Sequence, residues 1–260
     1  MLITLTTDFG YQDSFVGIMK GVIAGINPQA RVVDVAHGIP PQDILAGALT
    51  LRHSVRYFPR GSIHVAIIDP GVGSARRPLL IEWDGNYFIG PDNGVLSLAV
   101  ETIERTHIVH LSNPAYRLKR TSTTFHGRDI FAPAAAHLSL GVPATAFGEP
   151  LANIVRVSLP EIAHKKRRLE GEIVYIDHFG NLFTNIRDHD LTGMPRNKLD
   201  IVVRSVTIRG LSQNYASAGA GEFLALVNSW DMLEIAVYKD NAQKRIGAKI
   251  GDKVEIALAI

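Results

Sequence analysis

The sequence predicts an α/β protein: an N-terminal, mostly parallel α/β sandwich domain and a smaller C-terminal antiparallel β-barrel domain. In roughly the first 140 residues, short apolar runs alternate with apolar residues at helical spacing, which is typical of a parallel sheet covered by helices on both faces. After about Ala163, short β-branched runs dominate instead. The basic run at 165–168 marks the change, so the predicted domains are 1–165 and 166–260.

The N-terminal elements follow from apolar spacing and from turn residues. Leu2–Thr7 is a short apolar and β-branched run that ends at Asp8-Phe9-Gly10, the pattern of a strand followed by a turn. A helix is predicted to begin at Asp13 or Ser14, because apolar residues then recur at helical spacing until a proline follows Ile26. Similar patterns predict strands at 31–35, 63–68, 79–83 and 108–111, and helices at 44–55, 95–103 and 129–140.

The C-terminal elements are predicted to be short strands. Gly, Asn and Asp split the apolar runs there, which indicates a small antiparallel sheet or barrel from about residue 170. The basic run before it is interpreted as a solvated connector, because no excess of positive charge elsewhere supports a nucleic-acid patch. The predicted strands lie at 172–176, 182–186, 201–208, 224–227, 233–237 and 253–259.

Composition excludes several classes of protein. Lys plus Arg is 27 and Asp plus Glu is 25, a balance that gives no case for a nucleic-acid or membrane-surface partner. The absence of cysteine excludes disulfide scaffolds, thiolate nucleophiles, cysteine-based zinc sites and iron–sulfur clusters, and fits a reducing compartment. The N-terminal residues lack a signal-peptide pattern and no apolar stretch reaches about 18 residues, so a cytoplasmic protein is expected.

No cofactor and no metal are expected. The loop Gly71-Val72-Gly73 begins like a dinucleotide fingerprint, but Arg76 stands where the third glycine belongs and Pro78 blocks a long helix. The ten histidines form no HExxH motif and no cluster with a carboxylate triad, so structural roles are favoured for most of them.

The polar residues of interest follow predicted strands. Asp8 and Asp69 each end an apolar run, and ligands of parallel sheets bind beyond the carboxyl ends of the strands. A carboxylate at Asp8 is suited to accept hydrogen bonds from a ribose diol, and Asp8 lies too early to cap the helix. For Asp13 and Ser14, helix capping and ligand binding fit the pattern equally well.

Two further side chains complete the candidate set. Arg76 follows a two-glycine loop that can fold back on Asp69, and the alternative to a functional pair is a loop salt bridge. His126 precedes the helix at 129–140 and has the pKa range of a general base, although a structural loop histidine is the alternative.

Taken together and in this order, these clusters closely resemble one family over nearly the whole chain. The family is the S-adenosylmethionine hydroxide adenosyltransferases, the adenosine-forming S-adenosylmethionine hydrolases, which are related to the fluorinating and chlorinating enzymes that use the same substrate. The motifs that carry the resemblance are Thr7-Asp8-Phe9-Gly10, Asp69-Pro70-Gly71-Val72-Gly73 with Arg76, Gly90-Pro91-Asp92-Asn93-Gly94, Phe125-His126-Gly127-Arg128-Asp129, Phe179-Gly180-Asn181 and Asn228-Ser229-Trp230.

The resemblance implies a reaction and an assembly. Water or hydroxide would attack the ribose C5′ of S-adenosyl-L-methionine, giving adenosine and L-methionine. The family forms homotrimers in which the substrate lies between the N-terminal domain of one subunit and the C-terminal domain of the next. The implied site residues are Asp69, Arg76 and His126 for water handling, Asp8 for the ribose, Asn181 and Tyr215 for adenine, and Asp13, Ser14, Asp177, Ser229 and Trp230 for the methionine end.

Departures from the relatives bear on the choice of nucleophile. The halogenating relatives lack the triad of Asp69, Arg76 and His126 and carry an extra loop that this chain does not have, so water is favoured over halide. A halide-using relative and a non-catalytic adenosine- or S-adenosylmethionine-binding protein are the alternatives. The chain also departs from the family pattern at Asp231, where a glycine is expected, and at Tyr238 near the expected adenine edge.

Overall fold

A computed structural model describes residues 1–100, 106–165 and 168–259. The chain divides into two compact units, Met1–Ser158 and Leu159–Ile260. The predicted domain boundary at 165/166 adjoins residues outside the described ranges, as do two residues of the basic run. None of the helices within the described residues is long and apolar enough to cross a membrane.

The N-terminal unit is built on a six-stranded mixed sheet. The strand order is β2-β1-β3-β5-β4-β6. Neighbours β2, β1, β3 and β5 are parallel, whereas β4 is antiparallel to both of its neighbours. The strands are β1 Leu2–Thr7, β2 Arg31–Ala36, β3 Ile63–Ile67, β4 Pro78–Trp83, β5 Asn86–Pro91 and β6 His107–His110.

Three α-helices cover this sheet: α1 Phe15–Ile26, α2 Ile44–Val55 and α3 Ala132–Ser139. Helices α1 and α3 pack against each other and share one apolar core with alternate residues of β1 and β3. Helix α2 also contacts β1 and β3, yet its buried residues lie outside that core, so it packs on the other face. Helices on both faces confirm the predicted α/β sandwich.

Several N-terminal predictions differ from the structure in detail. Strand β5 was not predicted, because its run NYFIGP contains a glycine and a proline that indicate a turn. Residues 95–100 form turns instead of the predicted helix, whose remainder lies outside the described ranges. The helix predicted at 129–140 begins as a π-helical turn at Gly127–Phe131 before continuing as α3.

The C-terminal unit is an antiparallel, nearly closed barrel-like sheet. Its strand order is β11-β10-β14-β8-β9-β13-β12, with β7 paired to β8, and the end strands β11 and β12 lie near each other. The run predicted as one strand at 201–208 is a hairpin, because Arg204 adopts a left-handed conformation at the turn. The elements are β7 Ala163–Lys165, β8 Arg168–Ile176, β9 Leu182–Arg187, β10 Leu199–Val203, β11 Val206–Arg209, β12 Phe223–Val227, β13 Met232–Val237, α4 Ala242–Ile246 and β14 Lys253–Leu258.

Candidate active site

The first half of the candidate site lies at the carboxyl ends of β1 and β3. The chain leaves the carboxyl end of β1 through α1 towards β2, and it leaves the carboxyl end of β3 towards β4 and β5, in the opposite direction along the sheet. Such a topological switch point opens a crevice beyond the strand ends. Asp8 directly follows β1, and Asp69 comes two residues after β3. The register that pairs Thr7 with Ile67 therefore places both carboxylates at the same edge of the sheet.

Asp69 and Arg76 form a forked ion pair. Arg76 Nε lies 3.0 and 3.1 Å from the two Asp69 carboxylate oxygens, and Nη2 lies 2.5 Å from Oδ2. Only 5% of the Asp69 side chain and 8% of the Arg76 side chain are exposed. The guanidinium also lies 5.3 Å from the ring centre of Phe131. Burial and the planar fork hold both groups in one geometry.

His126 joins the pair through the same guanidinium nitrogen. Arg76 Nη2 lies 2.7 Å from His126 Nδ1. Because a guanidinium is a donor only, Nδ1 is the acceptor, and the neutral imidazole carries its proton on Nε2. Burial lowers the pKa of His126 below its usual 6.5 and the charge of Arg76 lowers it further, while the Asp69 and Asp129 carboxylates oppose them. The imidazole is therefore neutral at pH 7.

Two local backbone features bring these three side chains together. Gly73 has a φ of +77°, and a Cβ at that position would lie 2.2 Å from the carbonyl oxygen of Thr123. The loop carrying Arg76 thus approaches the segment before His126 more closely than any side chain allows. His126 itself precedes the π-helical turn at Gly127–Phe131, a feature found frequently at functional sites.

A small cavity of about 120 Å³ opens beside the pair. Asp69 and His126 both line it, together with three phenylalanines. The rings of Phe9, Phe15 and Phe125 contact one another edge to face, with centres 5.2 to 6.1 Å apart. A carboxylate and an imidazole therefore face a space with apolar walls, where electrostatic interactions are stronger than in water.

The predicted ribose contact of this unit, Asp8, is partly exposed, and its predicted methionine contacts are exposed. Asp8 accepts a hydrogen bond of 2.8 Å from the backbone amide of Gln42, which orients its carboxylate. Gln42 has a φ of +67°, a strained conformation for this residue type. Asp13 and Ser14 are exposed, and the Ser14 side chain makes no capping hydrogen bond although Ser14 stands at the N-cap of α1.

The C-terminal unit holds a second group of the predicted residues. Asp177 and Asn181 share the turn between β8 and β9, where Asn181 donates its backbone amide to Asp177 Oδ1 at 2.8 Å and its Nδ2 to Oδ2 at 2.9 Å. The Asn181 side-chain oxygen remains an acceptor for a ligand amino group. Both residues line a cavity of about 630 Å³ together with Tyr215 and Tyr238.

Tyr215 presents an open ring and a tethered hydroxyl. The residue is 43% exposed, and its hydroxyl lies 2.7 Å from Glu234 Oε1. Burial raises the pKa of the phenol, and the hydrogen bond to Glu234 raises it further. The ring is thus available for stacking while its distal end is held by a buried carboxylate.

The structure does not bring Ser229 and Trp230 to the lining of that cavity. Ser229 is exposed, and the Trp230 ring packs against Tyr175 and Phe183 with centre distances of 5.0 and 5.2 Å. Asp231 has a φ of +60°, which explains why a glycine is expected there, since aspartate is one of the few other residues that tolerate this conformation.

Some contributing residues were not predicted from the sequence. Gln42 and Glu234 act through contacts with predicted residues, and Phe9, Phe15 and Phe125 line the smaller cavity. A signal existed for Glu234, because it is the single acidic residue within the otherwise apolar β13. Over the ranges that the structure describes, no three His, Asp or Glu side chains converge as metal ligands.

Family models match most of the chain. Residues 3–148 match the model of the SAM hydroxide adenosyltransferase N-terminal domain, where SAM is S-adenosylmethionine, and residues 171–255 match that of the C-terminal domain. A solved structure from Thermotoga maritima, described as an uncharacterized conserved protein, superposes with a TM-score of 0.89 at 31% identity and covers 99% of this chain and 100% of its own.

Curated relatives match nearly the full length of this chain. A protein of Salinispora arenicola is 36% identical and one of Methanocaldococcus jannaschii is 34% identical, each over 98% of this chain and over 97% and 95% of its own length. Both are named (R)-S-adenosyl-L-methionine hydrolase. A protein of Nocardia brasiliensis named fluorinase is 28% identical over 87% of this chain and 85% of its own length.

Proposed function

Because the chain belongs to the SAM hydroxide adenosyltransferase family, we propose that it hydrolyses S-adenosyl-L-methionine to adenosine and L-methionine. The observation that carries the proposal is the buried Asp69–Arg76 ion pair, with His126 bound to the same guanidinium, beside an apolar-walled cavity. Relatives that are named hydrolases also share more of the sequence than the fluorinases do. Their name specifies the R configuration at sulfur, and we extend this preference to the present chain.

The chemistry is a displacement at the ribose C5′. The water oxygen forms a bond to C5′ while the C5′–S bond breaks, and its electron pair returns to sulfur to give the thioether of methionine. The sulfonium is already a good leaving group, so the difficulty lies in the nucleophile, because free water has a pKa of ~15.7. One proton must leave the attacking water.

The triad divides this task between its members. Asp69 accepts the water proton, since it is the only one of the three with a free acceptor. His126 donates its Nε2 proton in a hydrogen bond to the water oxygen and orients it, because Arg76 occupies Nδ1. Arg76 holds both partners in place, and the apolar walls strengthen the attraction between a developing hydroxide and the sulfonium.

The other predicted residues bind the substrate. Asp8 accepts hydrogen bonds from the ribose hydroxyls, supported by the amide of Gln42. The Asn181 side-chain oxygen accepts from the adenine amino group, and Tyr215 stacks on the ring. The remaining members, assigned to the methionine end, are Asp13, Ser14, Asp177, Ser229 and Trp230.

The assembly we propose is a homotrimer with sites between subunits. The N-terminal unit carries the water-handling and ribose residues, and the C-terminal unit carries the adenine residues. A head-to-tail ring of three subunits brings one set from each of two neighbouring subunits to every site.

We further propose a cytoplasmic location and no cofactor, metal, nucleic-acid or membrane partner. The cysteine-free composition supports the location, because it fits a reducing compartment.

The test is product analysis after incubation with SAM, with and without chloride. We expect adenosine and methionine in both cases, and a loss of about 10²- to 10⁴-fold in rate for Asp69→Ala and for His126→Ala. Asp84→Ala, which removes an exposed carboxylate paired with Arg60, serves as the matched control and retains the wild-type rate.

Each alternative has its own outcome in this experiment. Formation of 5′-chloro-5′-deoxyadenosine would identify halide as the nucleophile. Calorimetric binding of SAM without any product would identify a binding protein. Full activity of Asp69→Ala would remove the proposed role of the triad.

A further inference from the structure

Glu234 lies at the centre of the C-terminal half-site without being one of its predicted residues. It stands in the middle of β13, where every residue from Met232 to Val237 is buried, and it is itself only 1% exposed. Its Oε1 accepts a hydrogen bond from the Tyr215 hydroxyl at 2.7 Å, and its Oε2 accepts one from Asn228 Nδ2 at 3.0 Å. One carboxylate therefore joins two loops of the unit.

A buried carboxyl of this kind is costly to the fold. Its two hydrogen-bond partners are neutral, and the charge of Asp177 that acts on it has the same sign. Burial raises the pKa of Glu234 above its usual value, and the two hydrogen bonds compensate only in part. A hydrophobic residue of similar size would avoid this cost. A hydrophobic residue could not, however, form the two hydrogen bonds that the carboxylate accepts from Tyr215 and Asn228.

The first contact fixes a ring that packing leaves free. Tyr215 is 43% exposed and belongs to a short 3-10 turn, Tyr215–Ser217, between β11 and β12. The hydrogen bond at the far end of the ring restricts its rotation. Ordering an exposed side chain before a ligand arrives lowers the entropy that binding must otherwise remove.

The second contact fixes the loop between β12 and β13. Asn228 Oδ1 accepts from the backbone amides of Trp230 at 2.9 Å and Met232 at 3.2 Å. The amide orientation of Asn228 is thereby set, so Nδ2 is the donor to Glu234. The conformation of the segment that carries Ser229 and Trp230 thus depends on the same carboxylate as the Tyr215 ring.

We propose that Glu234 is a positioning residue for substrate binding, which holds the Tyr215 ring for the adenine and the Asn228–Trp230 loop for the methionine end in their binding conformations through its two carboxylate oxygens. The inference rests on the proposed function, because it takes Tyr215 as the residue that stacks on adenine. It extends that function by assigning the geometry of the adenine subsite to a residue that does not touch the ligand.

Three substitutions separate positioning from packing. Glu234→Leu keeps an apolar volume and removes both hydrogen bonds. Glu234→Gln preserves them, because its amide oxygen accepts from Asn228 and its amide nitrogen donates to the Tyr215 oxygen. Tyr215→Phe keeps the stacking ring and removes only the tether. Glu255→Leu is the matched control, since Glu255 forms a more exposed ion pair with Arg168 elsewhere in the same sheet.

The experiment is a double-mutant cycle on adenosine affinity, measured by titration calorimetry on the full-length chain. We expect Glu234→Leu and Tyr215→Phe each to weaken adenosine binding by about three- to tenfold. In the Tyr215→Phe background, Glu234→Leu should have almost no further effect on adenosine affinity, because the tether is already absent and the other loop held by Glu234 carries residues assigned to the methionine end, which adenosine lacks. Glu234→Gln and Glu255→Leu should bind adenosine nearly as the wild type does.

Several results would overturn the inference. Additive effects in the cycle would show that Glu234 does not act through Tyr215, and wild-type affinity in Tyr215→Phe would show that no tether is needed. The second result is decisive even if Glu234→Leu does not fold. Wild-type protein that binds no adenosine would also remove the inference, whereas a wild type that binds adenosine but does not hydrolyse SAM would overturn only the proposed reaction.

Discussion

Arg76 gives the two groups beside it different chemical roles. Its Nη2 carries two protons, one directed at Asp69 and one at His126 Nδ1. Because a guanidinium donates only, the carboxylate remains an acceptor and the imidazole keeps its proton on Nε2. Lysine at this position would offer a compact charge without the planar fork that reaches both partners. The division of labour that we propose for the triad thus follows from the donor pattern of one side chain.

The neutral state of His126 leads to an expectation about pH. Protonation at Nδ1 would place two donors against each other and break the contact with Arg76. In the proposed mechanism activity requires the neutral form, so it should fall as the pH drops through the pKa of His126. Because burial and Arg76 lower that pKa, we expect the acid limb of kcat/KM to have its midpoint below 6.5.

The origin of the limb can be tested with two histidine variants. His126→Gln should show a low rate without this acid limb, whereas His107→Gln, which changes an exposed histidine at the start of β6, should keep the wild-type profile. A midpoint above 6.5, or an unchanged limb in His126→Gln, would contradict the assigned protonation state.

The sequence predicts which single residues belong to the site more readily than it predicts which side chains contact one another. Asp8 and Asp69 were identifiable because each ends an apolar run. The contact between Arg76 and His126 joins residues 50 positions apart, which no local pattern encodes; only the family resemblance grouped them. The contacts of Gln42 and Glu234 likewise depend on tertiary structure, although a lone glutamate in an apolar strand is a visible signal.

The connection between β3 and β4 is the element on which the site depends. It must turn sharply after Asp69 so that Arg76 can bind both Asp69 and His126. Gly73 makes this possible through its positive φ and through its close approach to the Thr123 carbonyl. The geometry of the triad is therefore a property of two loops that pack against each other.

Substitution of Gly73 tests this dependence. We expect Gly73→Ala to lower the free energy of unfolding by at least about 1–2 kcal/mol from backbone strain alone. Displacement of Arg76 should also reduce kcat by about 100-fold. Gly61→Ala is the matched control, because Gly61 has a φ of +83° with no atom within 4 Å of the added Cβ.

Denaturant unfolding and steady-state kinetics measure the two effects. Gly61→Ala should lose stability through strain and keep its kcat. Wild-type kcat in a folded Gly73→Ala variant would contradict the importance of the close approach.

Elements with strong apolar periodicity were predicted well, and irregular ones were not. Strand β1 and helices α1 and α2 have the predicted bounds or nearly so. Strand β5 was missed because its pairing with neighbouring strands outweighs the turn signal of its Gly-Pro end. The β10–β11 hairpin was missed because arginine rarely adopts the left-handed conformation that Arg204 has at its turn. The turn at 95–100 likewise has helical spacing but no helix.

Each of the two units carries only part of the predicted residue set. The N-terminal unit holds Asp8 and the triad, and the C-terminal unit holds Asn181 and Tyr215. The homotrimer that we propose completes each site with residues from neighbouring subunits. This arrangement allows one defective subunit to be complemented by another.

Complementation by mixing tests the assembly. Asp69→Ala damages the N-terminal set and Asn181→Ala the C-terminal set, so each homotrimer should be nearly inactive. In a co-expressed equal mixture, random assembly of a cyclic trimer makes about one site in four fully wild type. We therefore expect about a quarter of the wild-type activity. No recovery in a mixture shown by mass spectrometry to contain mixed trimers would contradict intersubunit sites.

The central claim is that water attacks the ribose C5′ of SAM, and the fate of isotopic oxygen tests it most directly. The enzyme is incubated with SAM in ¹⁸O-labelled water, and both products are analysed by mass spectrometry. We expect one ¹⁸O atom in the 5′-hydroxyl of adenosine and none in methionine, with formation of both products depending on Asp69. Adenosine without ¹⁸O in its 5′-hydroxyl would contradict the account.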